Sequence, residues 1–205
     1  MNILCNNNYF SCEKFYLASQ SPRRRELLAE TGLRFDILPP DEGIENERET
    51  NETPNQYVCR LAVLKARNVA DKINYGCVIA CDTVACCRDK LLGKPKDKND
   101  AKQMLKYLRG KKHYVISGLC LLIKKISKPE QLTVIAERTE LIMKQITDQE
   151  LELYLDSNAW IGKAGAFGYQ DGNSWIKIIK GSESNVVGLP IERLYEILNQ
   201  KLLNS

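Results

Sequence analysis

The chain has a single histidine, His113, and that scarcity closes several chemical routes. A Ser-His-Asp hydrolase needs a histidine beside its nucleophile, but no GxSxG elbow occurs and HYVISGL around His113 reads as a strand. Structural zinc needs regularly spaced thiol and imidazole ligands, and Cys81, Cys86 and Cys87 follow no such spacing. The Walker A pattern is missing, so nucleotide chemistry here is not of the P-loop kind. No run approaches the ~18 apolar residues of a membrane span. The opening MNILCNNNYFSCEKF lacks the apolar core and small-residue cleavage site of a secretory signal. Charge of one sign is also scarce: 30 Lys+Arg against 26 Asp+Glu leaves +4, too little to argue for nucleic acid as a partner.

Cysteine is the exception, with eight. Cys59, Cys77, Cys81 and Cys120 lie inside apolar runs and read as small core residues rather than disulfide partners. A reducing, cytoplasmic setting with no membrane partner is therefore expected.

Strand and helix patterns alternate along the chain, which predicts one mixed α/β unit around a central sheet. Residues 1–14 are Asn-rich and read as a flexible arm, leaving 15–205 as a single catalytic domain. FYLAS (15–19) predicts a strand running into a helix with Ser21 as N-cap, Pro22 at its first position, Leu27, Leu28 and Leu33 on it, and Gly32 near its end. DEGIENERETNETP is an acidic loop. Tyr57, Val58, Leu61, Ala62, Leu64 and Ala66 are spaced for the buried face of a helix beginning near Asn55. CVIAC predicts a buried strand ending at Asp82, and KLLGKPKD a loop. Asn99 would cap a helix closed by Gly110. HYVISGLCLLI and LTVIAERTELIMK predict paired long strands, and Thr147 with Glu150 a capping box. KAGAFGYQDG is a Gly-rich loop, WIKIIKG a strand, and GLPIERLYEILNQKLL a terminal helix.

Arg23, Arg24 and Arg25 fall in the first turn of the Ser-Pro helix, where the dipole already disfavours cations. They make sense if that turn meets an anion: free backbone N–H groups converge there, and Arg binds phosphate oxygens in bidentate fashion. Three successive helical positions span about 200°, so one or two would face a ligand and the third the surface. Ser19 and Ser21 add hydroxyls. Asp82 after an apolar strand could hold a divalent metal, activate a water, or simply end the strand. Lys94 sits between Gly93 and Pro95, suited to a phosphate contact or to solvent. Gln170 could read a base through its amide.

Taken together, LASQSPRRRELL, YVCRLAVLKA, ACDTVA, GKPKD, KAGAFGYQ and NVVGLPIERL occur in order over about residues 15–200. The sequence resembles the Maf-type nucleoside triphosphate pyrophosphatases. That resemblance implies an α/β fold: an elongated, curved mixed β-sheet flanked by helices, two lobes and a central cleft, like inosine triphosphatases, and often a homodimer. It implies cleavage between the α- and β-phosphates of a nucleoside triphosphate with a divalent cation, Mg²⁺ or Mn²⁺. Asp82 would be the base or metal-linked activator of water, with Lys65 and Lys94 as catalytic cations. Ser19, Arg23 and Arg24 would surround the phosphates, and the acidic loop would add a metal carboxylate, Glu45 if Gly43 is an insertion and Glu42 otherwise. Arg23, Thr83 and Gln170 occupy the family's specificity positions. KAGAFGYQ resembles the branch acting on dTTP and UTP rather than the 7-methyl-GTP branch, and a glutamine amide complements the O4/N3–H edge of thymine and uracil.

Overall fold

The computed structural model describes residues 14–45, 48–49, 51–88, 90–172 and 174–203. The expected arm 1–14 lies outside them apart from Lys14.

Strand β1 (Phe15–Leu17) is wholly buried and leads through Ser19 into helix α1 (Pro22–Glu30). Ser21 takes the extended N-cap conformation with Pro22 at the first helical position, as expected, but its hydroxyl makes no capping bond. The Thr31 hydroxyl donates back to the Leu28 carbonyl at 2.6 Å, and Gly32 follows with φ +78°, so the helix stops before Leu33. A short strand β2 (Phe35–Ile37) then pairs in parallel with β1. Three partly exposed residues carry too little pattern for that strand to be read from sequence. Helix α2 (Pro54–Ala70) starts with a full capping box, Thr53 exchanging bonds with Gln56.

Strand β3 (Gly76–Cys87) corrects one expectation: it does not end at Asp82 but runs five residues further. Thr83 and Val84 are β-branched and continue the strand. Cys86 and Cys87 then pair antiparallel with strand β4 (Lys90–Leu92), where the sequence pattern predicts a loop. Helix α3 (Lys98–Leu108) is capped by Asp97, not Asn99; the Asp97 carboxylate accepts the Asp100 N–H at 2.8 Å and Asn99 falls inside the first turn. Strands β5 (Lys112–Lys124) and β6 (Gln131–Met143), helix α4 (Asp148–Asp156) with its Thr147–Glu150 box, strand β7 (Ile176–Lys180) and helix α6 (Ile191–Leu203) follow as expected; the short helix α5 (Glu183–Val187) does not.

The strand order is β2-β1-β3-β5-β6-β7, with β4 on β3. The β1–β2 and β1–β3 pairs are parallel, and β3–β4 and β6–β7 antiparallel, so the fold is α/β with a mixed, open seven-stranded sheet. The chain divides into two compact units: Met1–Asp82 with Ser117–Glu137 and Gly188–Ser205, and Thr83–Ile116 with Arg138–Val187. In the first, Tyr16 of β1, the following Ala18, Val78 and Ala80 of β3 and Cys120 and Leu122 of β5 pack against Ala62, Ala66 and Val69 of α2. In the second, Leu105 and Leu108 of α3 and Leu151 and Leu155 of α4 cover Leu92, Val115, Leu141 and Met143.

Candidate active site

Side chains alternate along a strand, so Asp82 shares a face of β3 with Val78 and Ala80. That face packs against α2. On α2 the buried positions Val58, Leu61, Ala62, Lys65, Ala66 and Val69 form one stripe, and a single member is charged. Lys65 therefore meets Asp82 inside otherwise apolar packing: its ammonium lies 2.6 Å from Asp82 Oδ1 and 2.7 Å from Glu45 Oε1. The Lys65 and Asp82 side chains are 7% and 11% exposed, whereas Glu45, reaching in from the acidic loop, is 53% exposed. One ammonium is thus shared by two carboxylates.

The acidic loop is fastened to α2 on either side of Glu45. Asp41 accepts from Lys72 at 2.7 Å and trades two bonds with the Asn68 amide, at 2.8 and 2.9 Å. Glu52 takes a bidentate pair from Arg60, at 2.8 and 2.9 Å, which holds its carboxyl below the usual range. The Arg60 guanidinium also lies 5.5 Å from the Tyr57 ring centre. Burial first, and then the charges of Asp82 and Glu45, push the Tyr57 phenol up. The apolar pattern of the sequence does not mark these loop anchors, and it places Tyr57 on the buried face of α2, where the residue is only half-buried. The anchors' signal is the charge pattern itself, acids at 41, 45 and 52 facing an α2 that carries Arg60 and Lys65, with Lys72 just past its end.

Ser19 lies two residues past the last paired residue of β1, and Asp82 three past its partner Ile79 on parallel β3, so both leave the same end of that pairing. The buried Ser19 hydroxyl accepts the Ser21 N–H at 3.2 Å, with Arg24 Nη1 at 3.4 Å. Both bonds use it as acceptor, so its own proton can be donated. Arg24 Nε also donates to the Gly188 carbonyl at 2.8 Å, tying α1 to the segment before α6. Arg23 and Arg24 are half-buried and Arg25 exposed.

Thr83, Lys94 and Gln170 belong to the second unit. Thr83 is half-buried, while Lys94 and Gln170 are exposed. The Gly93 carbonyl accepts the Gly165 N–H at 3.0 Å, which joins the Lys94 loop to the Gly-rich loop carrying Gln170. That loop contains two 3₁₀ turns, Ala164–Ala166 and Tyr169–Asp171. Gly165 and Ala166 take left-handed conformations, φ +70° and +62°. His113 is fully buried, its Nδ1 3.3 Å from the Lys111 carbonyl and its ring edge-on to Phe167. Burial pushes its pKa down to about 4, and it packs as a core residue.

Among the described residues no group of three or more His, Cys, Asp or Glu converges as a cation cage. Glu45 and Asp82, two hard oxygen donors already gathered around one cation, fit the smaller demand of Mg²⁺ or Mn²⁺, which take one or two carboxylates and fill the rest with water and phosphate.

A mixed open sheet whose parallel β1 and β3 carry Ser19 and a buried acid–lysine pair at one end defines an α/β protein with a buried acid–lysine site. Its fold is that of the Ham1 proteins of Staphylococcus aureus (TM-score 0.50, 12% identity, 92% of this chain and 100% of that one) and Coxiella burnetii (TM-score 0.50, 16% identity, 92% and 99%). Residues 14–201 match the model of the Maf-like protein family, and the chain belongs to that family. It is 48% identical over 187 residues to the dTTP/UTP pyrophosphatase of Rhodopirellula baltica, covering 91% of this chain and 81% of the relative. It is 41% identical over 192 residues to that of Ruminiclostridium cellulolyticum, covering 91% and 97%.

Proposed function

We propose that this chain is a nucleoside triphosphate pyrophosphatase acting on dTTP and UTP, with residues 15–205 working as one catalytic domain. Relatives named for that activity at up to 48% identity support the reaction. The observation that carries the site is the Lys65 ammonium shared by Asp82 and Glu45. Water adds to the α-phosphorus and the bond to the β-phosphate bridging oxygen breaks. The products are the nucleoside monophosphate, pyrophosphate and one proton.

Asp82 accepts the proton of the attacking water, on the carboxylate oxygen that Lys65 does not hold. Lys65 fixes that carboxylate and brings positive charge to the reacting phosphorus. Ser19, Arg23 and Arg24 bind the triphosphate oxygens, and Lys94 adds a further cation. Thr83 and Gln170 choose the base, Gln170 pairing its amide with the O4/N3–H edge of a pyrimidine. Two carboxylates facing a polyanion need a counter-charge, so a divalent cation would be held by Asp82 and Glu45. When bound, it supplies charge neutralisation and Lewis acidity at the phosphates.

The physiological unit is proposed to be cytoplasmic and homodimeric, with no nucleic-acid or membrane partner. No helix among the described residues is long and apolar enough to cross a membrane.

The test is pyrophosphate release with Mg²⁺ or Mn²⁺ from dTTP, UTP, CTP, GTP, 7-methyl-GTP and ATP. Turnover confined to dTTP and UTP supports the reading. Preference for 7-methyl-GTP keeps the chemistry and overturns the base assignment. Tight binding without release makes the chain a nucleotide-sensing regulator instead.

A further inference from the structure

The Gly-rich loop contains an ion pair that the phosphate chemistry does not use. The Lys163 ammonium, at the start of the loop, contacts both carboxylate oxygens of Asp171, near its end. Both side chains are mostly buried, 12% and 22% exposed. The pair lies directly over the backbone of Gly168, because a Cβ there would overlap the Asp171 carboxylate and the Lys163 ammonium. Helix α4 fastens the loop from outside: the Tyr154 hydroxyl donates to Asp171 Oδ2 at 3.0 Å and accepts the Gly168 N–H at 3.1 Å. Tyr154 is itself held edge-on against Trp175, with ring centres 5.2 Å apart at 85°.

One phenol thus grips the chain on both sides of Gln170, two residues before it and one after. The residue in between presents an exposed amide from a backbone that cannot shift without breaking a partly buried ion pair. With its backbone fixed in advance, Gln170 loses only side-chain freedom when it meets a ligand. The pairing also cancels the Lys163 charge, which keeps that lysine from attracting phosphate regardless of the base.

We propose that Lys163, Asp171 and Tyr154 are positioning residues for base selection, setting the orientation from which Gln170 discriminates pyrimidines. This rests on the base-reading role given above to Gln170.

The experiment compares Gln170→Ala, Asp171→Asn and Tyr154→Phe with the parent, measuring kcat/KM for dTTP, UTP, CTP and GTP together with thermal unfolding. Asp171→Asn and Tyr154→Phe are expected to lower the dTTP-to-GTP selectivity ratio by about tenfold, the scale on which one misplaced hydrogen-bonding contact acts. The loss should fall on KM for dTTP, with kcat for GTP held. A loss shared equally by all four triphosphates, or no loss, overturns the proposal. If Gln170→Ala lowers the ratio and the other two do not, the positioning role alone fails. If none of the three changes it, the base-reading role of Gln170 fails and this inference falls with it. Should Asp171→Asn unfold, Tyr154→Phe decides, since it removes one hydroxyl and keeps the ion pair.

Discussion

Lys65 is the common partner of Asp82 and Glu45, 2.6 Å from one carboxylate and 2.7 Å from the other. Because the first pair is buried, Lys65→Met would leave Asp82 charged, desolvated and without its ammonium. Breaking one side of a buried pair costs about 3–5 kcal/mol, so urea unfolding should show a loss near the lower end, given that Glu45 opens to solvent. Restoration of the parent's stability by Lys65→Met/Asp82→Asn would show that the stranded charge, rather than lost packing, carried the cost. Equal losses in the single and double variants would count against it.

Asp82→Asn separates chemistry from binding. The amide keeps the shape of the carboxylate and gives up its basicity, so turnover of dTTP should fall by roughly 10²–10⁴, the range general-base groups contribute. Calorimetric binding of dTTP, measured without divalent cation, should change far less, since Ser19 and the arginines are untouched. Near-parent rates in this variant would remove Asp82 from the proton-transfer role.

His113 makes the fold sensitive to acid. Burial lowers its pKa from 6.5 to about 4, so the folded state resists a proton that the unfolded chain accepts. The stability tied to its neutral form is complete above pH 6.5 and drains away as pH falls toward 4. The shift is worth about 3 kcal/mol at the lower end. His113→Gln keeps a polar side chain of similar size without the titration. Its unfolding free energy should therefore fall less steeply than the parent's between pH 6.5 and 4; identical slopes would contradict the assignment.

Much of this was legible in sequence where a local rule had a local cause. The Thr147–Glu150 box, the Ser21-Pro22 start and the long strands β5 and β6 are set by neighbours a few residues apart. The failures have a different cause. Asp82 looked like a strand end because an acid after CVIAC is a good stop signal, but the partner that lets β3 continue, β4, is contributed by the next segment. Asn99 lost the cap to Asp97, two residues away with an equally good acceptor. Family resemblance implies Lys65, and the pattern marks it as well: a lysine at a core position of the α2 stripe must have a buried partner. What no pattern held was the identity of that partner, since Asp82 and Glu45 converge only through tertiary packing.

Gly118 illustrates the same limit inside a strand. A Cβ at that position would overlap the Val58 carbonyl and lie 2.6 Å from the Cys59 nitrogen, so β5 and α2 approach backbone to backbone there. Gly118→Ala cannot be absorbed by a rotamer change. Overpacking of this kind costs about 1–3 kcal/mol or more, and the lowered unfolding midpoint should come with weaker Mn²⁺ binding if α2, and Lys65 with it, is displaced. An unchanged midpoint would mean that the helix moves aside freely.

The three arginines of α1 are predicted to be unequal. Arg24 is anchored through Nε to Gly188 while its Nη1 reaches the Ser19 hydroxyl, so its planar fork is held in place before any ligand arrives. Arg25 is exposed on the next position. Arg24→Lys keeps the charge but loses the fork, and should raise KM for dTTP by about tenfold while leaving the profile across bases intact. Arg25→Ala should leave KM at the parent value. If the two variants weaken binding equally, and added salt abolishes both effects together, the helix start attracts triphosphate only through bulk charge and the placement of Arg24 against Ser19 has no part in recognition.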